Sequence, residues 1–159
     1  MAHGDTNDQN EEFIKGVDGE TILLNEEILC KLTKKTCPGL EDKAALVFIQ
    51  ACRGENGNTA NAEADASMTK RQIPSVADML VWKAAVENSP AVRFPKKGTW
   101  FVNAVSKKIL RDPKVRLSKI IHEVTFEASQ DKYTLERIGD TFPMPCISHS
   151  TLRADFYFK

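Results

Sequence analysis

No charge of either sign prevails in this sequence: 22 lysines and arginines face 22 aspartates and glutamates, for a formal net charge of zero. Such a balance sets up no broad field towards nucleic acid or an anionic membrane, and neither partner is expected. The chain lacks an apolar run near the roughly 18 residues that a membrane span needs, and its polar opening MAHGDTNDQNEE does not read as a signal peptide. Cysteines are few. Cys30, Cys37, Cys52 and Cys146 form no paired CxxC units, which argues against a structural zinc site. Without a secretory signal the expected compartment is the reducing cytoplasm, where thiols stay free. Internal repeats are lacking too.

What is present suits one globular domain: 159 residues, 42% hydrophobic and 28% charged. Residues 1–20 are polar and glycine-containing, and read as loop. From Asn25 to Lys35 the sequence puts Ile28, Leu29 and Leu32 on one helical face, with Asn25 as cap and Pro38-Gly39 as the stop. The run ALVFIQAC, Ala45 to Cys52, is too short for a buried helix and predicts a strand covered on both faces. A polar stretch follows from Glu55 to Gln72, long enough to read as an exposed linker. SVADMLVWKAAV, Ser75 to Val86, has a periodicity open to strand or helix.

Thr99 is placed to cap a helix through TWFVNAVSKKILR, with Phe101, Val105 and Ile109 inward and Val102 as a further candidate. After Asp112-Pro113, Leu117, Ile120, Ile121, Val124 and Ala128 fall on one stripe of a second helix. The segment Pro143 to Phe158 reads as an extended strand with an aromatic end. Strands alternating with helices predict an α/β layered sheet.

One stretch carries chemistry. FIQACRGE puts Cys52 at the end of a buried strand, before a sharp Arg-Gly turn. That position exposes a thiol at the carboxyl edge of a sheet, where open α/β proteins build their sites. His3 stands 49 positions upstream, in the run AHG. A thiolate attacks an amide carbonyl far better than a thiol does, so such a cysteine needs a base or electropositive surroundings. Elsewhere the bland readings hold. Cys30, Cys37 and Cys146 read as small buried apolar residues, His122 and His149 as packing or surface, and Lys34-Lys35 and Lys107-Lys108 as solvated surface.

Gln50-Ala51-Cys52-Arg53-Gly54, with a histidine about 50 residues before it, resembles the caspase family. The likeness continues in order. IPSVADMLVWKAAV resembles the small subunit's opening strand, VRFPKKGTWF the substrate loop, and FPMPCISHSTLRADFYF the last strand. It implies a three-layer caspase-like α/β sandwich around a mostly parallel sheet. Residues 1–54 would be the end of the large subunit, 55–72 the intersubunit linker and 73–159 the small subunit.

The implied activity is a cysteine endopeptidase that cuts proteins after aspartate, in apoptosis or related signalling, with no metal or organic cofactor. Cys52 would be the nucleophile and His3 its acid/base partner. The N–H groups of Gly4 and Cys52 would form the oxyanion hole, where one donor is worth about 3–4 kcal/mol of barrier. Arg93, seven residues before Trp100, would hold the substrate aspartate through paired guanidinium bonds. Gln50 would add a neutral donor and Trp100 an aromatic subsite wall, although Trp100 serves equally as core. Ala91-Val92 replaces the family's usual Ser-Trp, leaving Val92 as a smaller wall. Asp65, closing AEAD in the linker, resembles a processing site of a zymogen. Dimerisation through the last strand, with itself or another caspase, is also implied.

Only Met1-Ala2 precede His3, so the sheet is expected to be truncated at its N-terminal side, with no strand to hold His3 and with an open edge prone to association. A second reading follows: a short, weakly active or inactive form that regulates a full-length caspase by dimerising with it.

Overall fold

A strand whose side chains are buried on both faces has to be covered from both sides, and this chain supplies a different cover for each. The computed structural model describes residues 3–7, 9, 11–51, 77–86, 91, 93–94, 98–130 and 144–158. Their elements run β1 (His3–Thr6), β2 (Glu12–Lys15), β3 (Thr21–Leu23), β4 (Ala45–Ile49), β5 (Met79–Lys83), β6 (Arg93–Phe94), β7 (Gly98–Thr99), α1 (Trp100–Arg111), α2 (Leu117–Gln130) and β8 (Cys146–Ser150). The central sheet has the order β4-β5-β8, and β5 is buried at all five positions. β4 runs parallel to β5, with Ile49 opposite Lys83, and β8 runs antiparallel with a bulge between Val81 and Trp82.

Alternation along β5 sorts its side chains to two faces. Leu80, Trp82 and Ala84 face α1 and α2, where they meet Phe101, Ala104, Val105, Leu117, Ile120 and Val124. The Phe101 ring stands edge-on to Trp82 with centroids 5.0 Å apart, a favoured aromatic geometry. Met79 and Val81 face the other way, towards Ile49, Ala51, Leu24 and Leu29. The second sheet, β1-β2-β3, lies on that side and packs Ile14 against this cluster. Helices, central sheet and small sheet thus form the layered α/β arrangement expected.

Several local expectations are corrected. Residues 1–20 are not loop. β1 and β2 form an antiparallel hairpin, and β3 extends it into a three-stranded sheet. Near its tip, the Asn7 side-chain oxygen accepts the N–H groups of Gln9 and Glu11. Short polar strands of this kind carry little periodicity, and their pairing comes from the turn and the core behind them.

The helix expected from Asn25 to Lys35 is instead a wide turn, Leu24–Ile28, followed by a tight one, Leu29–Leu32. Asn25 does not cap it: the preceding residue is Leu23, whose N–H is taken by the Glu27 carboxylate. In a regular helix Leu24 and Leu29 would point roughly 140° apart. The wide turn, with Leu29 N–H on the Leu24 carbonyl, lets both reach the same core.

α1 and α2 occur where the apolar stripes predict them, with Phe101, Val105, Leu117, Ile120, Val124 and Ala128 buried. Val102 does not join them and is 46% exposed. Thr99 occupies the position before α1 in extended backbone but makes no side-chain capping bond. The last segment is strand only over Cys146–Ser150. Beyond it the chain bends, and Tyr157 pairs with Arg116 while the Phe156 carbonyl accepts the Leu117 N–H.

A polar fastening holds the amino ends of the strands. Asp78 precedes β5 with φ at 64°, in the left-handed region. Its carboxylate accepts bonds from Arg153 Nε, at 3.0 Å to each oxygen, and from Lys34 Nζ at 3.2 Å. Its carbonyl accepts the Ala45 N–H at the start of β4. The Arg153 guanidinium holds the Asp78 carboxyl well below the usual carboxylate range.

Candidate active site

The carboxyl end of β4 leads through Gln50 and Ala51 towards Cys52. Cys52 itself, Val92 and Asp65 lie outside the described residues, as does the side chain of Arg93. What can be built is the frame around them. The Ala84 N–H donates to the Ile49 carbonyl at 2.9 Å, extending the β4–β5 ladder to the strand end. Ala51 is buried in the cluster beneath the small sheet. Gln50, on the opposite side by alternation, is half-buried, and its Oε1 is buried without a hydrogen-bond partner among the described residues.

His3 opens β1 and is exposed. The expectation that no strand would hold it is overturned, because β1 pairs along its whole length with β2, His3 opposite Lys15 and Gly4 opposite Ile14. Opposed residues share a face, and faces alternate. Gly4 and Ile14 therefore turn to the central sheet, where Gly4 is buried and Ile14 packs on the cluster containing Ala51. His3 and Lys15 turn outwards. The hairpin beginning at His3 and the strand running to Cys52 are thus seated on one core.

The substrate-loop residues divide. Arg93 lies in β6, its backbone opposite Thr99 of β7, and Gly98 takes φ of 74°, where glycine is favoured. This short hairpin carries the chain directly into α1. Trp100, its first residue, is half-buried and packs partly against the helix-side core, so it serves packing as well as any site. Cys30, Cys37 and Cys146 are each only partly buried, and the Cys146 thiol donates to the Ala85 carbonyl at 3.5 Å. His122 is exposed on α2. His149 lies in β8 with its Nε2 buried and unpartnered among the described residues, and burial pushes its pKa down. No helix among the described residues is long and apolar enough to cross a membrane.

Family comparison decides what this frame belongs to. A caspase-domain model matches residues 1–157. The chain is a member of the caspase family. It is 29% identical to caspase-8 of Rattus norvegicus over 99% of this chain and 34% of that protein. It is 33% identical to caspase-14 of Homo sapiens, over 100% of this chain and 64% of that protein. Against caspase b of Danio rerio the identity is 26%, over 99% of this chain and 38% of that protein. The chain therefore spans about a third of the length of caspase-8. The caspases are a family of cysteine peptidases.

One feature escaped the sequence reading. Lys83 is 5% exposed on β5 and makes an ion pair with Glu12 of β2, joining the small sheet to the central one. The signal was present: a lysine inside the apolar run MLVWKAAV needs a buried counter-charge. Its partner lay 71 positions away, in a segment read as loop.

Proposed function

We propose that this chain carries the catalytic histidine and cysteine of a caspase-type endopeptidase that cleaves proteins after aspartate, in apoptosis or related signalling. Cys52 attacks the carbonyl carbon as thiolate, and the His3 imidazolium protonates the departing amine nitrogen. Water then releases the acyl group from sulfur. The backbone N–H groups of Gly4 and Cys52 stabilise the oxyanion. Arg93 and Gln50 receive the substrate aspartate, with Val92 and Trp100 walling the more distal subsites. Asp65 is the cut that separates large and small subunits in a cytoplasmic zymogen.

The observation that carries this reading is the buried Gly4. Its partner Ile14 packs on the core that includes Ala51, the residue before the proposed nucleophile. A fluorogenic peptide series ending in Asp, Glu or Lys tests it on the purified chain. Cleavage after Asp that is lost in Cys52→Ala and weakened in Arg93→Ala is expected. Preference for Lys would refute the assignment of Arg93. Mass spectrometry of the purified protein should find a cut after Asp65, and an Asp65→Ala variant cut at the same place would exclude it.

A second reading has its own support. Among the described residues β8 is the last strand in the order of the central sheet, and its Ile147 is 37% exposed. Such an edge suits pairing with a second copy or a longer caspase. A chain without turnover that co-purifies with a full-length caspase would favour this regulatory role.

A further inference from the structure

Charged residues are rarely buried unless paired, so a lysine on the most deeply buried strand calls for an account of what it does there. Lys83 lies on the same face of β5 as Met79 and Val81, the face covered by the small sheet. Its side chain is 7% exposed, and its ammonium is paired with the Glu12 carboxylate, itself 19% exposed. Each end of this pair lies on a strand that pairs with one of the two strands leading to or from the candidate site residues. Glu12 is opposite Thr6 in the strand that begins with His3. Lys83 is opposite Ile49 in the strand that leads to Cys52, and the next residue, Ala84, donates its N–H to the Ile49 carbonyl.

Beside this pair, an apolar contact also joins the two sheets. Ile14 packs on the Ile49–Ala51–Met79–Val81 cluster, and apolar packing is non-directional. It can hold the hairpin down without setting its register along the strands. A largely buried ion pair differs, because a slide that separates the two charges forfeits their attraction where water is mostly excluded. We propose that Lys83 and Glu12 act as positioning residues, a buried electrostatic clamp that sets the hairpin of His3 against the strand of Cys52. The proposal rests on the protease reading given above.

Removing one partner alone takes the facing counter-charge from a largely buried group and endangers the fold, so the deciding variant is Lys83→Met/Glu12→Gln, which removes both charges. Two measurements on the full chain are compared with wild type: kcat and KM on an Asp-ending peptide, and hydrogen exchange of the Gly4, Asp5 and Thr6 amides against those of α1 and α2. The clamp predicts at least tenfold faster exchange in β1 with the helices unchanged. It also predicts a kcat lowered about 100-fold at nearly constant KM, the scale expected for about 1 Å of misplacement. Ile120→Val, destabilising but on the opposite face, should leave kcat and β1 exchange as in wild type. If β1 exchange in the double variant equals wild type, or rises with no change in kcat, the clamp is overturned. A wild-type chain without Cys52-dependent turnover sinks the protease reading alone, and β1 exchange still decides whether the pair fixes the hairpin.

Discussion

Replacing Phe101 with alanine tests the central claim about how the helices meet the sheet. The ring is 2% exposed and stands edge-on to Trp82, which is completely buried. Truncating a phenylalanine in such a site removes its transfer energy and leaves a cavity, together about 3–5 kcal/mol. Total stability for a domain is only about 5–15 kcal/mol, so the loss is a large fraction of it. At about 2–4 °C per kcal/mol, the melting temperature should drop by roughly 6–20 °C. Urea unfolding followed by tryptophan fluorescence and far-ultraviolet circular dichroism measures it, because Trp82 reports directly on the lost neighbour. Val102→Ala is the matched control. Val102 is the next residue of α1 but is 46% exposed, and its removal should change stability by less than about 0.5 kcal/mol. Equal effects at the two positions, or a loss under about 1 kcal/mol for Phe101→Ala, would refute the assigned helix face.

Two further outcomes are expected away from the site. The Asp78 carboxyl is depressed by its bonds to Arg153, so its stabilising contribution is present above the unfolded value of about 3.9 and is lost as pH falls towards the lower folded value. Melting temperatures scanned downwards from pH 5 should therefore fall less steeply in Asp78→Asn than in wild type. Parallel acid slopes would show that the Asp78–Arg153 pair does not contribute. At the start of α2, Asp155 accepts the Ser118 hydroxyl at 2.6 Å and the Ser118 N–H at 3.2 Å, acting as a cap supplied from the far end of the chain. Asp155→Ala should cost about 1 kcal/mol in urea unfolding and increase exchange of the first-turn amides of α2, whereas an unchanged midpoint would show the cap to be idle.

How much of this could be read beforehand varied with the physical range of the signal. The stripe through Leu117, Ile120, Val124 and Ala128 repeats at helical spacing and marks α2 without knowledge of any partner. The apolar run before Cys52 likewise marks β4, although the strand stops at Ile49 and Phe48 is 38% exposed rather than covered. The hairpin at His3 was illegible. Its strands are four residues each, and only pairing and the packing of Ile14 give them structure. The same holds for the wide turn at Leu24, which departs from helical periodicity to bring two leucines to one core. Candidate site residues came from ordered sequence matches rather than from spacing physics. The Lys83–Glu12 pair came from neither.

By itself, then, the order of residues determined the family, the two helices and the β4 strand. These depend on local periodicity or on short contiguous patterns. Only tertiary structure decided which face of β5 each layer covers, that β1 rather than loop carries His3, and that a lysine in an apolar run is answered by Glu12. Those outcomes depend on which distant surfaces meet, because a buried charge or an unpaired strand edge is stabilised only by a partner the neighbouring sequence does not contain.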